Sequence, residues 1–173
     1  HPYAGAAPCT SRTACRTARV EYHRLLRAPS ALPAGSMVFQ SAAHVADFLA
    51  QTQGNVLLAT GAKELPAFAQ LAPERLYPRV LPTLDGIAAC EAAHIPHKNI
   101  LALQGPFSYS RNRALLEQFS ILVTKDGGAA GGFAEKAQAA ADTGVQLIVI
   151  RRPAETGETA DQILTRCREV LKG

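Results

Sequence analysis

Tryptophan is absent from these 173 residues and aromatic side chains make up only 6% of them, although 47% are hydrophobic. Ala, Leu and Val carry most of that apolar fraction, so the core is expected to be aliphatic, with helices packed on a sheet rather than around large rings. Long apolar runs are lacking too. The longest, VQLIVI at 145–150, falls well below the roughly 18 residues a membrane span requires, which argues for a soluble, cytoplasmic protein. Cysteine is sparse: Cys9, Cys15, Cys90 and Cys167 show neither C-x-x-C spacing nor the density of a disulfide framework and read as reduced thiols. His1, His23, His44, His94 and His97 lack metal-ligand spacing with any carboxylate or thiol, so no metal site is expected. A G-x-S-x-G elbow and a paired-carboxylate arrangement are also missing, which argues against a hydrolase. The net charge is +4, with Lys and Arg dispersed, a balance that suits an anionic ligand better than a nucleic-acid stripe.

What is present is a repeated pattern. From residue 54 onward, short aliphatic runs alternate with Gly or Pro breaks and segments of helical periodicity. Val56–Ala59, Leu76–Leu81, Ile100–Leu103, Ile121–Val123 and Val145–Ile150 are apolar on both faces, as parallel strands covered on both sides must be. The segments between them have the length of a βαβ crossover. This pattern predicts an α/β fold, a Rossmann-like doubly wound parallel sheet of about five strands alternating with helices. Leu84, Ile87 and Ala88 are expected on one face of a helix starting at Thr83, with Pro96 as a stop near its end. In the last helix, Ile163, Leu164, Cys167, Val170 and Leu171 form an apolar stripe expected to cover the sheet, behind a capping box from Thr159 to Gln162, with Gly173 as its C-cap. Residues 1–53 differ: a helix over 9–18, a strand over Val20–Leu26, a Pro- and Gly-bearing linker at 29–35, then a strand Met37–Gln40 and a helix Ala42–Gln51.

Ligands of open parallel sheets bind outside the carboxyl ends of the strands, and the polar and glycine-rich signals fall there. The five runs lead into Thr60-Gly61-Ala62-Lys63, Arg79 to Thr83, Gln104-Gly105-Pro106-Phe107-Ser108, Lys125-Asp126 with the glycines of 127–132, and Arg151-Arg152-Pro153. Such ends donate to anions or permit close backbone approach, and five together point to a phosphate-bearing or polyanionic ligand. The glycine cluster matches neither a P-loop nor G-x-G-x-x-G, so on its own it reads equally as a flexible loop. Glu135 and Lys136 follow it on a helix, either as a solvated pair or in contact with ligand. Lys63 and Lys125 suit electrostatic clamps rather than Schiff bases, because nothing around them indicates an apolar pocket.

Taken in order, His1-Pro2-Tyr3-Ala4, Thr60-Gly61-x-Lys63, Arg79-Val80-Leu81-Pro82-Thr83, Gln104-Gly105-Pro106-Phe107-Ser108, Thr124-Lys125, Gly131-Gly132-x-x-Glu135-Lys136 and Arg152-Pro153 resemble the precorrin-6A and cobalt-precorrin-6A reductase family. The chain departs from the family's usual pattern at Lys125-Asp126-Gly127-Gly128, which lacks a hydroxyl, and at Ala59, where a threonine is frequent. The resemblance implies a monomeric two-domain reductase of cobalamin biosynthesis that carries hydride from NADPH to a corrin-precursor polycarboxylate. It engages neither nucleic acid nor membrane. It further implies Thr60, Gly61, Lys63, Lys125, Gly127, Gly128, Gly131 and Gly132 as cofactor-binding residues. Arg79, Gln104, Gly105, Pro106, Phe107, Ser108, Glu135 and Lys136 are then substrate-binding, with Tyr3 and His1 as candidate proton donors. On this resemblance 1–53 is the remnant of a first, dinucleotide-binding domain plus linker, and 54–173 is the second domain. The chain opens at His1 without an initiator Met, and the family's Gly-rich first turn is expected to precede it. The alternatives are a non-catalytic or remnant module that binds an anionic tetrapyrrole or nucleotide, and a cofactor-free enzyme of tetrapyrrole metabolism.

Overall fold

Strands that are apolar on both faces need cover on both faces, and the chain supplies it in two layers. The computed structural model describes residues 6–26, 30–127, 132–151 and 156–171. Six strands, β1 (Met37–Phe39), β2 (Val56–Ala59), β3 (Leu76–Val80), β4 (Leu101–Ala102), β5 (Ile121–Lys125) and β6 (Gln146–Ile150), form one sheet in the order β1-β6-β5-β2-β3-β4. Every pairing is parallel, with Val56 opposite both Leu76 and Ile121, and Met37 opposite Ile148. The α/β doubly wound expectation therefore holds, with one more strand than expected because Met37–Phe39 joins the sheet at its edge.

Side chains alternate across the sheet, as the pleat requires. Val56, Leu58, Val123 and Ile148 pack with α2 (Ala42–Leu49), a 3₁₀ helix (Ala62–Phe68) and α3 (Leu84–Ala92). Leu57, Leu122, Leu147 and Val149 face the other way, against α4 (Tyr109–Leu116) and α5 (Phe133–Thr143). Two local readings change. The crossover from β2 to β3 is made of 3₁₀ turns rather than an α-helix, since Pro66 lies inside it and cannot donate to an α-helical ladder. In α3 the buried residues are Gly86 and Cys90, whereas Leu84 is 87% exposed. Gly86 lies so close to the chain that a Cβ there would meet the Leu81 carbonyl oxygen at 2.5 Å, and that approach fixes the helix rotation.

Residues 30–151 make up one compact unit, and 1–29 with 152–173 make up another. The sheet unit begins at residue 30, within the 29–35 linker, and it includes β1 and α2. The other unit contains α1 (Ala6–Thr17) and α6 (Ala160–Val170). No strand forms over 20–26. A single bridge joins Leu25 and Glu158, with Leu26 N–H donating to the Glu158 carbonyl and Glu158 N–H to that of Arg24, both at 2.9 Å. The capping box of α6 is present, with Thr159 Oγ1 accepting from Gln162 N–H. Its apolar stripe is not buried, since no residue of the helix is. No described helix is long and apolar enough to cross a membrane. Gly173, Arg152 and Pro153 lie outside the described residues.

Candidate functional site

The chain runs outward from β2 through β3 to β4, then returns through α4 to β5 on the other side of β2. Such a reversal opens a crevice at the carboxyl ends of the two strands flanking it, here β2 and β5. On the β2 side, Thr60 is buried and its hydroxyl oxygen has no hydrogen-bond partner. Gly61 follows at φ 83, a left-handed conformation that favours glycine, with open space where a Cβ would point. Lys63 is exposed. On the β5 side, Lys125 Nζ donates to Glu64 Oε1 at 2.6 Å, so this lysine meets an internal carboxylate across the crevice. Asp126 is buried and accepts from the backbone N–H and the hydroxyl of Ser30, at 3.0 and 2.7 Å. Gly127 comes next. Gly132, at φ 61, is the N-cap of α5 and has no side-chain capping bond. Gly128, Gly131, Tyr3 and His1 lie outside the described residues.

Beside the crevice, a cavity of about 530 Å³ opens at the ends of β2, β3 and β4, lined by Gly61, Lys63, Arg79, Leu81, Leu103 and Phe107 among others. Phe107 lies between two guanidinium groups, with the Arg79 carbon 4.2 Å and the Arg111 carbon 5.3 Å from its ring centroid. Stacking of this kind stabilises both the aromatic wall and the cation. Arg79 also donates to Asn112 Oδ1 at 3.1 Å, while Asn112 donates to the carbonyls of Phe107 and Ser108, so α4 holds the loop and the arginine together. Burial, reinforced by Arg111, lowers the Arg79 pKa to about 10. Ser108 serves as N-cap of α4, its hydroxyl accepting from Arg111 N–H. Gln104, Gly105 and Pro106 are exposed, with a cis bond between Gly105 and Pro106.

Lys136, in contrast with the exposed Glu135, is only 8% accessible. Its Nζ donates to Thr124 Oγ1 at 3.0 Å. Burial lowers its pKa to about 8, with Arg79 adding to the effect and Asp126 and Glu135 opposing it. The structure thus assembles Thr60, Gly61, Lys125 and Gly127 around the crevice, and Arg79, Phe107 and Lys136 around its basic side. Glu64 and Asn112 complete these contacts and escaped the sequence-based reading. Thr124, named there beside Lys125, also belongs to them as the hydrogen-bond partner of Lys136. No cluster of three or more His, Cys, Asp or Glu with metal-holding geometry occurs among the described residues.

A family model described as "Precorrin-6x reductase CbiJ/CobK" matches residues 1–171. The cobalt-precorrin-6A reductase of Priestia megaterium is 35% identical over 160 residues, which cover 88% of this chain and 63% of that protein. The protein of the same name from Salmonella typhimurium is 36% identical over 170 residues, 95% of this chain and 64% of its own length. A solved structure, CobK precorrin-6A reductase, superposes with a TM-score of 0.75 at 25% identity, covering 98% of this chain and 70% of that one. The chain therefore spans a little under two thirds of the length of these curated relatives.

Proposed function

Because the chain belongs to the precorrin-6x reductase CbiJ/CobK family, we propose that it acts in cobalamin biosynthesis, in the cytoplasm. There it reduces precorrin-6A or cobalt-precorrin-6A to the dihydro product with NADPH as hydride donor. The observation that supports this reading is the cavity at the ends of β2, β3 and β4, lined by Gly61, Arg79 and Phe107, beside the strand-order reversal at β2 and β5. The residues present fit a nicotinamide nucleotide. The buried Thr60 hydroxyl lacks a partner, and the open backbone at Gly61 admits a ligand's polar groups. Thr60, Gly61, Lys63, Lys125, Gly127 and Gly132 would hold it, and Gly128 and Gly131, outside the described residues, are proposed with them. When bound, NADPH supplies the hydride; the protein supplies position and field. Phe107, pinned by Arg79 and Arg111, lines the cavity that would take the conjugated macrocycle. Gln104, Gly105, Pro106 and Ser108, leading into α4, and Glu135 on α5 complete the proposed substrate contacts. Reduction also consumes a proton, for which Tyr3 and His1 are the proposed donors. Of the segment 1–53, read as the remnant of a dinucleotide-binding domain plus linker, residues 1–29 fall outside the sheet unit.

The test incubates the protein anaerobically with precorrin-6A, or its cobalt form, and NADPH. Loss of NADPH absorbance should match formation of a product heavier by two hydrogens. Binding of the macrocycle without NADPH consumption would make the protein a ligand-binding module and end the reductase reading.

A further inference from the structure

A buried amide is costly unless its hydrogen bonds are made, and Asn112 of α4 is only 3% exposed. Its bonds reach beyond the helix. Nδ2 donates to the Phe107 carbonyl at 3.2 Å and to the Ser108 carbonyl at 3.0 Å, and Oδ1 accepts from Arg79 Nη1 at 3.1 Å. A guanidinium only donates and carbonyls only accept, so the amide can face one way only. Arg79 comes to it from β3, on the side of the pleat that Tyr77 shares, while Phe107 comes from the loop before α4. Two segments that no local pattern relates thus meet on one side chain.

Arg79 and Phe107 both line the cavity, and Asn112 does not. The Arg79 guanidinium carbon lies 4.2 Å from the centroid of the Phe107 ring, and a Cβ at Gly105 would come within 3.2 Å of that ring, so the arginine and the ring's own loop both hold it. Arg111 stands 5.3 Å from the same ring and repels Arg79. Among the described residues no carboxylate pairs with Arg79, and Asn112 Oδ1 is its hydrogen-bond acceptor. Without the amide nothing opposes that repulsion, and the flexible stem lets the guanidinium leave the ring. We propose that Asn112 is a positioning residue, which fixes the Arg79 guanidinium against Phe107 and so presets the wall of the cavity without touching the ligand that fills it. A group already held in place loses less freedom when a ligand arrives, so binding is tighter. That the ligand is a corrin precursor rests on the proposed function; the holding of Arg79 does not.

Asn112→Ser keeps a hydroxyl that can bond the Ser108 carbonyl one turn back but reaches neither Arg79 nor the Phe107 carbonyl, so the helix keeps a bond while the arginine is released. Asn112→Ala, a good helix former, removes all three bonds. Uroporphyrin serves as the macrocycle probe, with Kd from fluorescence quenching. Each variant should weaken its binding about tenfold, the scale of a hydrogen bond to a charged group, and Arg79→Met should weaken it at least as much. Because Asn112 acts through Arg79, its loss should add nothing once the arginine is gone: the Arg79→Met, Asn112→Ser double variant should bind within about twofold of Arg79→Met alone. Effects that multiply in the double variant, or unchanged affinity in the single ones, overturn the positioning role. Loss of a cooperative urea transition in both single variants also overturns it, since Asn112 would then serve the fold alone. A second readout needs no ligand. Nitrogen NMR of the parent should show a guanidinium Nη signal slowed in rotation, identified by its loss in Arg79→Met, and Asn112→Ser should abolish it; its persistence in that variant overturns the role as well. If the signal behaves as expected while uroporphyrin does not bind the parent, the positioning of Arg79 stands and the corrin reading falls.

Discussion

Glu64 illustrates how a carboxylate can tune a site built for anions. Its side chain is 32% exposed and that of Lys125 16%, so the 2.6 Å contact between them is only partly screened by water. A phosphate approaching Lys125 must displace Glu64 or share the lysine with it. Glu64→Gln keeps a hydrogen-bond acceptor but removes the competing charge. It should therefore tighten NADPH binding several-fold, in line with about 0.5–1 kcal/mol for a partly exposed pair. Isothermal titration checks this, and weaker or unchanged affinity would take Lys125 out of the cofactor's contacts. Lys125 was legible in the sequence as a basic residue at a strand end. Glu64 was not, because no local periodicity connects two residues 61 positions apart; only the sheet order brings them together.

At the scale of elements, what the sequence conveyed was period and capping, not which surface each helix would meet. The capping box at Thr159 and the N-cap at Thr83 depend on neighbours three residues away and could be read locally. The rotation of α3 and the exposure of α6 depend on distant partners and could not. The segment before residue 27 shows the same limit: β-type residues at 20–26 make one bridge instead of a strand, and side chains do the holding. His23 lies between two carboxylates, with Nδ1 2.8 Å from Glu158 and Nε2 3.1 Å from Glu21, and Arg166 of α6 also binds Glu21. The hydrogen bond to Glu158, then that to Glu21, raises the His23 pKa. A histidine whose pKa is raised on folding contributes stability that is complete below its unfolded value, near 6.5, and lost as pH rises through the higher folded value. Hydrogen exchange at residues 24–26 should accordingly quicken as pH rises above about 6.5, beyond the intrinsic base-catalysed increase. His23→Gln should remove that excess, and an identical excess in the variant would rule out the clamp.

For the molecule as a whole, the sheet was the most legible feature, since aliphatic runs with crossover-length spacers admit few topologies. The strand order was less so: β1 is only three residues long and its place beside β6 is recorded in no local pattern. The net charge of +4 gains meaning from the arrangement of Arg79, Arg111, Lys125 and Lys136 near one end of the sheet. Polyanion binding should weaken several-fold from about 0.05 to 0.5 M salt as the Debye length contracts, measured with the same macrocycle by fluorescence. Salt-independent affinity would assign the binding to apolar contact alone. The β1–β6 pairing also sets an order of events on the ribosome. Met37 finds its partner only in Ile148. An emerging chain can therefore pair β2 with β3, but must carry β1 without its partner until β6 has been made, which leaves a short apolar segment for chaperones to shield in the meantime.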